Sequence, residues 1–225
     1  MITLTWYGHA TLGLETTSNK LLIDPYFTNN PAASTVADNV AAEYILITHG
    51  HNDHIGDTVG IAKRSGAISL SNMEIATWLE KQGLKAQGLR FGEDRALPFG
   101  TVRLTQAVHG TGLPDGSDGG QPGGFLLTIE GKKYYIAGDT TLFDGMTELD
   151  REGLEWAVLP IGGFYTMDPD QALQAVKMLA PRHVIPYHYN TWDKIKQSPH
   201  AWAVRVEQET TTKVHVMKPG ERLTL

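Results

Sequence analysis

Apolar runs of strand length dominate the first part of the chain. The stretches ITLTWYG, TLGLET and KLLIDP alternate apolar and polar positions or stay apolar over strand length, which predicts short β-strands joined by turns. Residues 42–48, AEYILIT, are apolar almost throughout, as expected for a strand that is buried on both faces of a sheet. We expect that strand to end at His49.

Helical spacing occurs in four segments, and each has a recognisable start or stop. IGDTVGIAKRSG ends on a glycine, and NMEIATWLEKQG begins with an N-cap candidate and ends on Gly83. DPDQALQAVKMLA and SPHAWAVRVEQET both begin with a capping residue followed by proline, which is typical of the first turn of a helix. These signals predict four helices.

Further strands are predicted in the middle and at the end of the chain, where strands and helices alternate. The predicted strands are AISL, TVRLTQAVH, GFLLTIEG, KKYYIAGD, LEWAVLP, RHVIPYH and KVHVMKPGERLTL, with EGKK (residues 130–133) as a hairpin turn. A strand-rich front and a strand–helix rear with no linker predict a layered α/β fold in which two sheets pack face to face with helices outside. The length of 225 residues favours a single domain, residues 1–225.

Composition and charge exclude several classes of protein. The net charge is −6 with no block of Lys or Arg, so a nucleic-acid partner is disfavoured and a small-molecule substrate is favoured. The chain has no cysteine, so any metal must be held by His, Asp or Glu. It shows no secretory signal pattern and no long apolar segment, so we expect a cytoplasmic protein without a membrane partner. Homo-oligomerisation is left open.

Candidate metal ligands are crowded into ITHGHNDHIGD, residues 47–57. His49, His51 and Asp53 lie at i, i+2 and i+4 after a buried strand, and in extended backbone this spacing directs all three side chains to one side. His54 breaks the period at what is expected to be the first turn of a helix. One loop can therefore supply ligands to two adjacent metal sites, with His49 and His51 at one and Asp53 and His54 at the other.

Three more donors lie at the ends of predicted strands, where the site residues of layered folds collect. His109 ends TVRLTQAVH, Asp139 ends KKYYIAGD and His188 ends RHVIPYH. Independent placement of all these donors by chance is improbable. The pattern indicates a metal site with ligands from several strands.

These residues resemble the metallo-β-lactamase superfamily. HGHNDH is similar to its H-x-H-x-D-H motif, and WYGHAT, LLIDPYF, AGDT, LPIGG and IPYHYNT extend the resemblance over essentially the whole chain, towards small metal-dependent hydrolases related to ascorbate-6-phosphate lactonase. The resemblance implies a four-layer αββα sandwich with two metal ions at one edge of the sheets. The ligands it implies are His49, His51 and His109 for the first ion, Asp53, His54 and His188 for the second, and Asp139 as the bridge.

The resemblance also implies roles for three residues near the metals. Asp53 is expected to orient a nucleophile as well as to bind metal, because two divalent ions that share a water lower its pKa towards 7 and so supply a bridging hydroxide. His9 is expected to donate a proton to the leaving group or to position a substrate anion. Asp24 is expected to hydrogen-bond a ligand histidine or the loop backbone.

Other features are assigned from their position beside these motifs. Tyr165, Tyr187 and Asn190 flank ligand-bearing loops and are candidate residues of the substrate pocket. The Gly-rich stretch 113–124, which follows His109 closely, is either a lid over the metals or, as we favour, a flexible connector. His215 alternates with two valines and is expected to face solvent.

The substrate is the least determined property. Hydrolysis of a small ester, lactone or phosphoester is expected, with a lactone favoured on family resemblance alone. The alternatives are a metal-dependent phosphodiesterase or nuclease, and a non-catalytic metal-binding protein. Histidine and aspartate ligands suit zinc first, and they also accept manganese, iron or nickel.

Overall fold

Two sheets form the centre of the molecule in a computed structural model that describes residues 2–150 and 153–225. Each sheet has seven strands in the described residues. The strands are β1 Thr3–Gly8, β2 Thr11–Glu15, β3 Lys20–Ile23, β4 Tyr44–Leu46, β5 Ile68–Ser71, β6 Lys85–Gly88, β7 Asp94–Leu97, β8 Gly100–Gln106, β9 Gly123–Ile129, β10 Lys132–Ile136, β11 Trp156–Pro160, β12 His183–Tyr187, β13 Lys213–Val214 and β14 Arg222–Thr224.

The two sheets repeat one plan. The first has the order β14-β1-β2-β3-β4-β5-β6 and the second the order β13-β12-β11-β10-β9-β8-β7. In the first sheet, β1 to β3 pair antiparallel and β3 to β6 pair parallel. In the second, β7 to β10 pair antiparallel and β10 to β13 pair parallel. The last two strands of the chain belong to different sheets. β13 pairs with β12 in the second sheet, and β14 pairs with β1 in the first.

Four of the six α-helices among the described residues lie in the four predicted segments. The six are α1 Asn52–Ile55, α2 Thr58–Ser65, α3 Met73–Lys81, α4 Thr147–Asp150, α5 Pro169–Leu179 and α6 Pro199–Glu209. Asn72 caps α3 by accepting a hydrogen bond from the Ile75 N–H, and Asp168 forms a capping box with Gln171 at the start of α5. No helix of the described residues is long and apolar enough to cross a membrane.

Strand alternation divides the apolar side chains between two cores. Leu21, Ile23 and Leu46 belong to the larger core, which also contains side chains of the second sheet. The intervening Leu22 and Ile45 belong to a smaller core, where they contact residues of α2 and α3. Because successive side chains of a strand point to opposite faces, the first sheet is covered by the second sheet on one side and by helices on the other.

This arrangement confirms the expected layered α/β fold with two packed sheets. Two short strands, β6 and β7, were not predicted, because neither has a buried apolar pattern: Lys85 and residues 94–96 are exposed. The hairpin turn at residues 130–133 is confirmed between β9 and β10, with both Glu130 and Gly131 at positive φ.

Two local expectations were wrong. The ligand loop is not extended through Asp53, because α1 begins at Asn52 with His51 as its N-cap residue. The His215 side chain is half-buried and does not simply face solvent. Its Nε2 lies 3.0 Å from Nδ1 of His183, and its ring packs on Trp156.

The Gly-rich stretch 113–124 packs against α3. The Asn72 side chain donates to the carbonyls of Gly119 and Gln121, at 2.7 and 2.9 Å. The Trp78 indole donates to Asp115 at 2.7 Å, and Leu113 is buried in the smaller core. Its side-chain and backbone contacts therefore hold the stretch beside the site instead of over it.

Candidate metal centre

Strand direction gathers the candidate residues at one edge of the two sheets. Since β1 and β3 are each antiparallel to β2, they run the same way, and β4 runs parallel to β3. The same reasoning aligns β8, β10 and β12 in the second sheet. Carboxyl ends of strands that run in one direction meet at one edge. The residues that follow these ends are His9, Asp24 and His49 in the first sheet, and His109, Asp139 and His188 in the second.

Asp139 lies at the centre of the cluster. Its Oδ2 is 3.1 Å from Nε2 of His188, 3.3 Å from Nε2 of His54 and 3.6 Å from Nε2 of His109. Asp139 is 3% exposed, so the two sheets and α1 close around this carboxylate. A carboxylate surrounded by three imidazole nitrogens is suited to bridging cations.

A second group consists of the histidines that precede α1 together with His109. Nε2 of His49 lies 2.9 Å from Nδ1 of His51, and the ring centroid of His109 lies 5.0 Å from that of His49. One ring nitrogen from each of these three residues can be chosen so that all lie within 4.8 Å of one another. The same holds for donor atoms of His9, Asp53, His54 and His188, and for His49, His54 and Asp139.

Asp24 holds the ligand loop through hydrogen bonds to Thr48 and His54. Its Oδ1 accepts the Thr48 N–H at 2.8 Å, and its Oδ2 accepts both the Thr48 hydroxyl at 2.7 Å and Nδ1 of His54 at 2.8 Å. Because a carboxylate can only accept, Nδ1 of His54 carries a proton, and Nε2 on the other side of the ring points at Asp139. Asp24 therefore sets the ring orientation of His54 and leaves Nε2 as the ring nitrogen that a metal could take.

His9 is held between two partners. Its Nε2 lies 3.1 Å from Oδ2 of Asp53, and its Nδ1 lies 2.8 Å from the Thr191 hydroxyl. The ring is fully buried and sits 4.0 Å from the His188 ring, centroid to centroid. Since Asp53 can only accept, Nε2 donates to it, and Nδ1 accepts from Thr191. Both ring nitrogens are thus engaged.

Burial and charge shift the pKa values of these groups in consistent directions. Burial, with help from His188, lowers the pKa of His9 to about 3, and burial also lowers the pKa of His49 and of His109. For His54, burial lowers the pKa, but the Asp139 and Asp24 carboxylates outweigh it and hold the pKa well above its ordinary value. The chain without metal therefore stabilises a cation at His54, between two carboxylates.

The donor atoms fit divalent ions. Nε2 of His54, Oδ1 of Asp139 and both ring nitrogens of His188 are buried without a hydrogen-bond partner among the described residues. Buried polar atoms of this kind cost about 1–3 kcal/mol each when nothing satisfies them. Imidazole and carboxylate are also the donor types that zinc and related metals take.

A cavity of about 440 Å³ opens onto these donors. Its walls include His51, Asp53, His109, Asp139 and His188, together with Tyr26, Asn52, Tyr165 and Trp192. Of the three pocket residues expected from sequence, the structure places only Tyr165 here. Tyr26, Asn52 and Trp192 were not predicted from the sequence, although each lies within four positions of a candidate site residue.

Two expected pocket residues lie elsewhere. The Tyr187 side chain is fully buried within the larger core and does not line the cavity, because it points into the layer between the sheets. Burial, reinforced by the nearby Asp139 and Asp24 carboxylates, holds the pKa of Tyr187 well above its ordinary value. Asn190 is exposed, and its side-chain oxygen accepts the Gln197 N–H at 2.7 Å, so it stabilises its own loop.

Fold and site together define a hydrolase of the metallo-β-lactamase fold. The family model described as the β-lactamase superfamily domain matches residues 19–189. A UPF0173 metal-dependent hydrolase from Heliobacterium modesticaldum is 45% identical over 233 residues, which cover 100% of this chain and 98% of the relative. The UPF0173 metal-dependent hydrolase TTHA1283 of Thermus thermophilus is 40% identical over 225 residues and the full length of both chains.

A solved structure agrees over the whole molecule. Igni18, a metallo hydrolase from the archaeon Ignicoccus hospitalis, superposes with a TM-score of 0.92 at 38% identity, covering 100% of this chain and 98% of that chain. The chain belongs to the β-lactamase superfamily and, within it, to the UPF0173 family of metal-dependent hydrolases.

Proposed function

We propose that this chain is a dinuclear metal-dependent hydrolase that opens small lactones or esters. The observation that carries the proposal is the convergence of three imidazole nitrogens on the buried carboxylate of Asp139, at 3.1 to 3.6 Å. Three of these side chains follow strands of the second sheet, and His54 lies in α1, which follows β4 of the first sheet; together they leave buried donor atoms without partners. A pair of divalent cations would take up Nε2 of His54, Nε2 of His188 and the Asp139 carboxylate.

The proposed ligand sets follow the strand ends. In this proposal the first ion is held by His49, His51 and His109, and the second by Asp53, His54 and His188, with Asp139 shared. Bound there, two divalent ions would polarise the scissile carbonyl and lower the pKa of a shared water towards neutrality. Zinc is the first choice for this donor set, with manganese, iron and nickel as alternatives.

The protein residues have separate tasks in this reaction. Asp53 is 29% exposed at its side chain and faces the cavity, so it can orient the attacking nucleophile. His9 holds Asp53 in place through Nε2, since neither of its ring nitrogens is free to reach a substrate. This proposed role differs from the two that were expected for His9, proton donation to the leaving group and positioning of a substrate anion.

Charge favours lactone or ester hydrolysis over phosphodiester hydrolysis. No Lys or Arg is found among the described residues that line the cavity, so only the metals are available to hold a substrate's phosphate oxygens. A nuclease would need additional cationic groups to track a nucleic-acid backbone. A non-catalytic metal protein is disfavoured because the donors open into a cavity large enough for a small ligand.

Metal content tests the dinuclear part of the proposal. We expect two ions per chain, by inductively coupled plasma mass spectrometry, in protein loaded with zinc or manganese and then desalted. Asp139→Ala should lose both ions, whereas His51→Ala should lose chiefly the first. Wild-type protein that holds well under one ion per chain would overturn the dinuclear arrangement.

A substrate panel tests the reaction. The metal-loaded enzyme is assayed with lactones, carboxylic esters, thioesters and bis(p-nitrophenyl) phosphate. We expect hydrolysis of lactones or esters at rates that Asp53→Asn reduces at least a hundredfold. Turnover confined to bis(p-nitrophenyl) phosphate would replace the proposal with a phosphodiesterase, and the absence of any turnover in a fully loaded protein would favour a metal-binding role.

A further inference from the structure

Three aromatic side chains line the cavity beside the metal ligands. Tyr26 lies on the loop after β3, Tyr165 on the loop after β11 and Trp192 on the loop after β12. We call these three residues the aromatic collar. Loops from both sheets supply the collar, so it forms only when the two sheets have packed and the metal ligands have come together.

The collar leaves unusually large apolar surfaces open to solvent. Tyr165 is 44% exposed and Trp192 is 36% exposed, and the neighbouring Phe164 is 72% exposed. The ring centroids of Phe164 and Tyr165 are 4.6 Å apart. Clustered exposed aromatics of this kind mark a binding surface more often than isolated ones do.

Backbone strain maintains part of this surface. Phe164 has φ 59°, in the left-handed region that bulky residues rarely adopt. Strain of this kind persists where the surrounding structure enforces it, and it concentrates at functional sites. Here it places an exposed phenyl ring against Tyr165, which lines the cavity.

Apart from the metal ligands and Asn52, the cavity walls are the three aromatic side chains of the collar, whose polar atoms are two phenol hydroxyls and one indole N–H. No cationic side chain lines the cavity among the described residues. Lys194 is at the outer edge, where its Nζ lies 4.8 Å from the centroid of the Phe164 ring. A phosphate monoester carries a charge of about −1.5 to −2 and is usually held by arginine, lysine or a ring of N–H donors, none of which the collar supplies.

We propose that the aromatic collar selects substrates that carry an uncharged aryl or alkyl group on the alkoxy side of the scissile ester bond, and that it discriminates against phosphorylated ones. Trp192 and Tyr165 are the specificity-determining residues. The cavity volume of about 440 Å³ accommodates a ring and a side chain of several carbon atoms. This inference rests on the proposed function for its reaction, whereas recognition of the apolar group can be measured without any reaction.

Three lactones of one ring size test the selectivity. They are δ-decalactone, glucono-δ-lactone and 6-phosphoglucono-δ-lactone, assayed with the metal-loaded enzyme. We expect kcat/KM for δ-decalactone to exceed that of the other two at least tenfold. Trp192→Ala should reduce this preference about tenfold, mainly through KM, and Trp192→Phe should restore most of it. Val204→Ala, at an exposed apolar position on α6 outside the cavity, is the control and should keep the wild-type preference.

Binding to metal-free protein separates the two proposals. The EDTA-treated chain is titrated by calorimetry with 4-phenyl-1-butanol and with 4-phenylbutyl phosphate. We expect the alcohol to bind at least tenfold more tightly than its phosphate, and Trp192→Ala to weaken it at least tenfold. If the alcohol binds in this way while no lactone is hydrolysed, the proposed reaction is contradicted and the proposed selectivity of the collar is supported.

The opposite results overturn the collar. The enzyme could hydrolyse lactones without a preference for δ-decalactone and also fail to bind the alcohol. That result would overturn the proposed selectivity of the collar and would leave the proposed reaction supported. A preference for 6-phosphoglucono-δ-lactone, or equal binding of the alcohol and its phosphate, would show that phosphorylated substrates are accepted. Failure of both hydrolysis and binding would overturn both proposals.

Discussion

Nδ1 of His54 donates a 2.8 Å hydrogen bond to Oδ2 of Asp24, and both side chains are buried. This contact joins the loop after β3 to the first turn of α1. It directs Nε2 of His54 at Asp139, 3.3 Å away. The orientation of a proposed metal ligand is therefore decided by a residue that does not face the cavity.

Replacement of Asp24 should weaken metal binding. Asp24→Asn keeps the size of the side chain but removes the negative charge that orients His54, and partners of this kind contribute about 10- to 100-fold to metal affinity. We expect the metal affinity of Asp24→Asn to fall by a factor of this size, measured by competition with a chromophoric chelator. Asp38→Asn is the control, since Asp38 is 92% exposed at its side chain, and it should match wild type. Equal affinities for Asp24→Asn and wild type would contradict this role.

Removal of the Thr191 hydroxyl should disturb His9. Thr191→Val removes the donor to Nδ1 of His9 while it preserves shape, and a neutral hydrogen bond contributes about 0.5–1.5 kcal/mol. We expect kcat to fall about 3- to 10-fold with little change in KM, and Thr191→Ser to recover most of the loss. Ring ¹⁵N shifts should report His9 protonated at Nε2 in wild type and a mixture of tautomers in the valine variant. An unchanged spectrum would refute the positioning role.

Metal removal should lower thermal stability. An ion present at about 1,000 times its Kd stabilises the folded state by about 4 kcal/mol. For a chain of this size that corresponds to a fall in Tm of about 8–16 °C when EDTA is added, measured by circular dichroism. Asp139→Asn should lose most of this response, whereas Asp170→Asn, at a side chain 78% exposed, should retain it.

The His183–His215 pair should make stability depend on pH outside the metal centre. Burial lowers the pKa of both rings from 6.5, and His183 adds to the effect on His215. The unfolded chain then binds more protons below about pH 6.5, so the contribution to stability is complete above that pH and is lost as the pH falls.

Urea unfolding at pH 7.5 and pH 5.5 measures this effect. The loss of unfolding free energy between the two pH values should be smaller in His215→Gln than in wild type, because one depressed pKa has been removed. His200→Gln, at an exposed position on α6, should show the wild-type loss. The same loss in His215→Gln and wild type would exclude the pair as a source of pH dependence.

Much of the fold was predictable because its signals are local. The caps at Asn72 and Asp168 mark helix starts through bonds within four residues, and the apolar run before His49 marks a buried strand. The strands β6 and β7 lack such a signal, since their pairing to neighbours, not their own apolar pattern, makes them strands. The extended geometry expected through Asp53 was wrong because a helical turn begins at Asn52.

The sequence by itself determined which donors are present and that several of them follow strand ends. It could not determine side-chain direction at those ends: His188 points into the cluster, while the preceding Tyr187 points into the core and Asn190 bonds to its own loop. Only the pairing and packing of the two sheets bring His9 to Thr191 and place Trp192 beside the metal ligands. Those contacts join residues up to 182 positions apart, and no local pattern encodes such a distance.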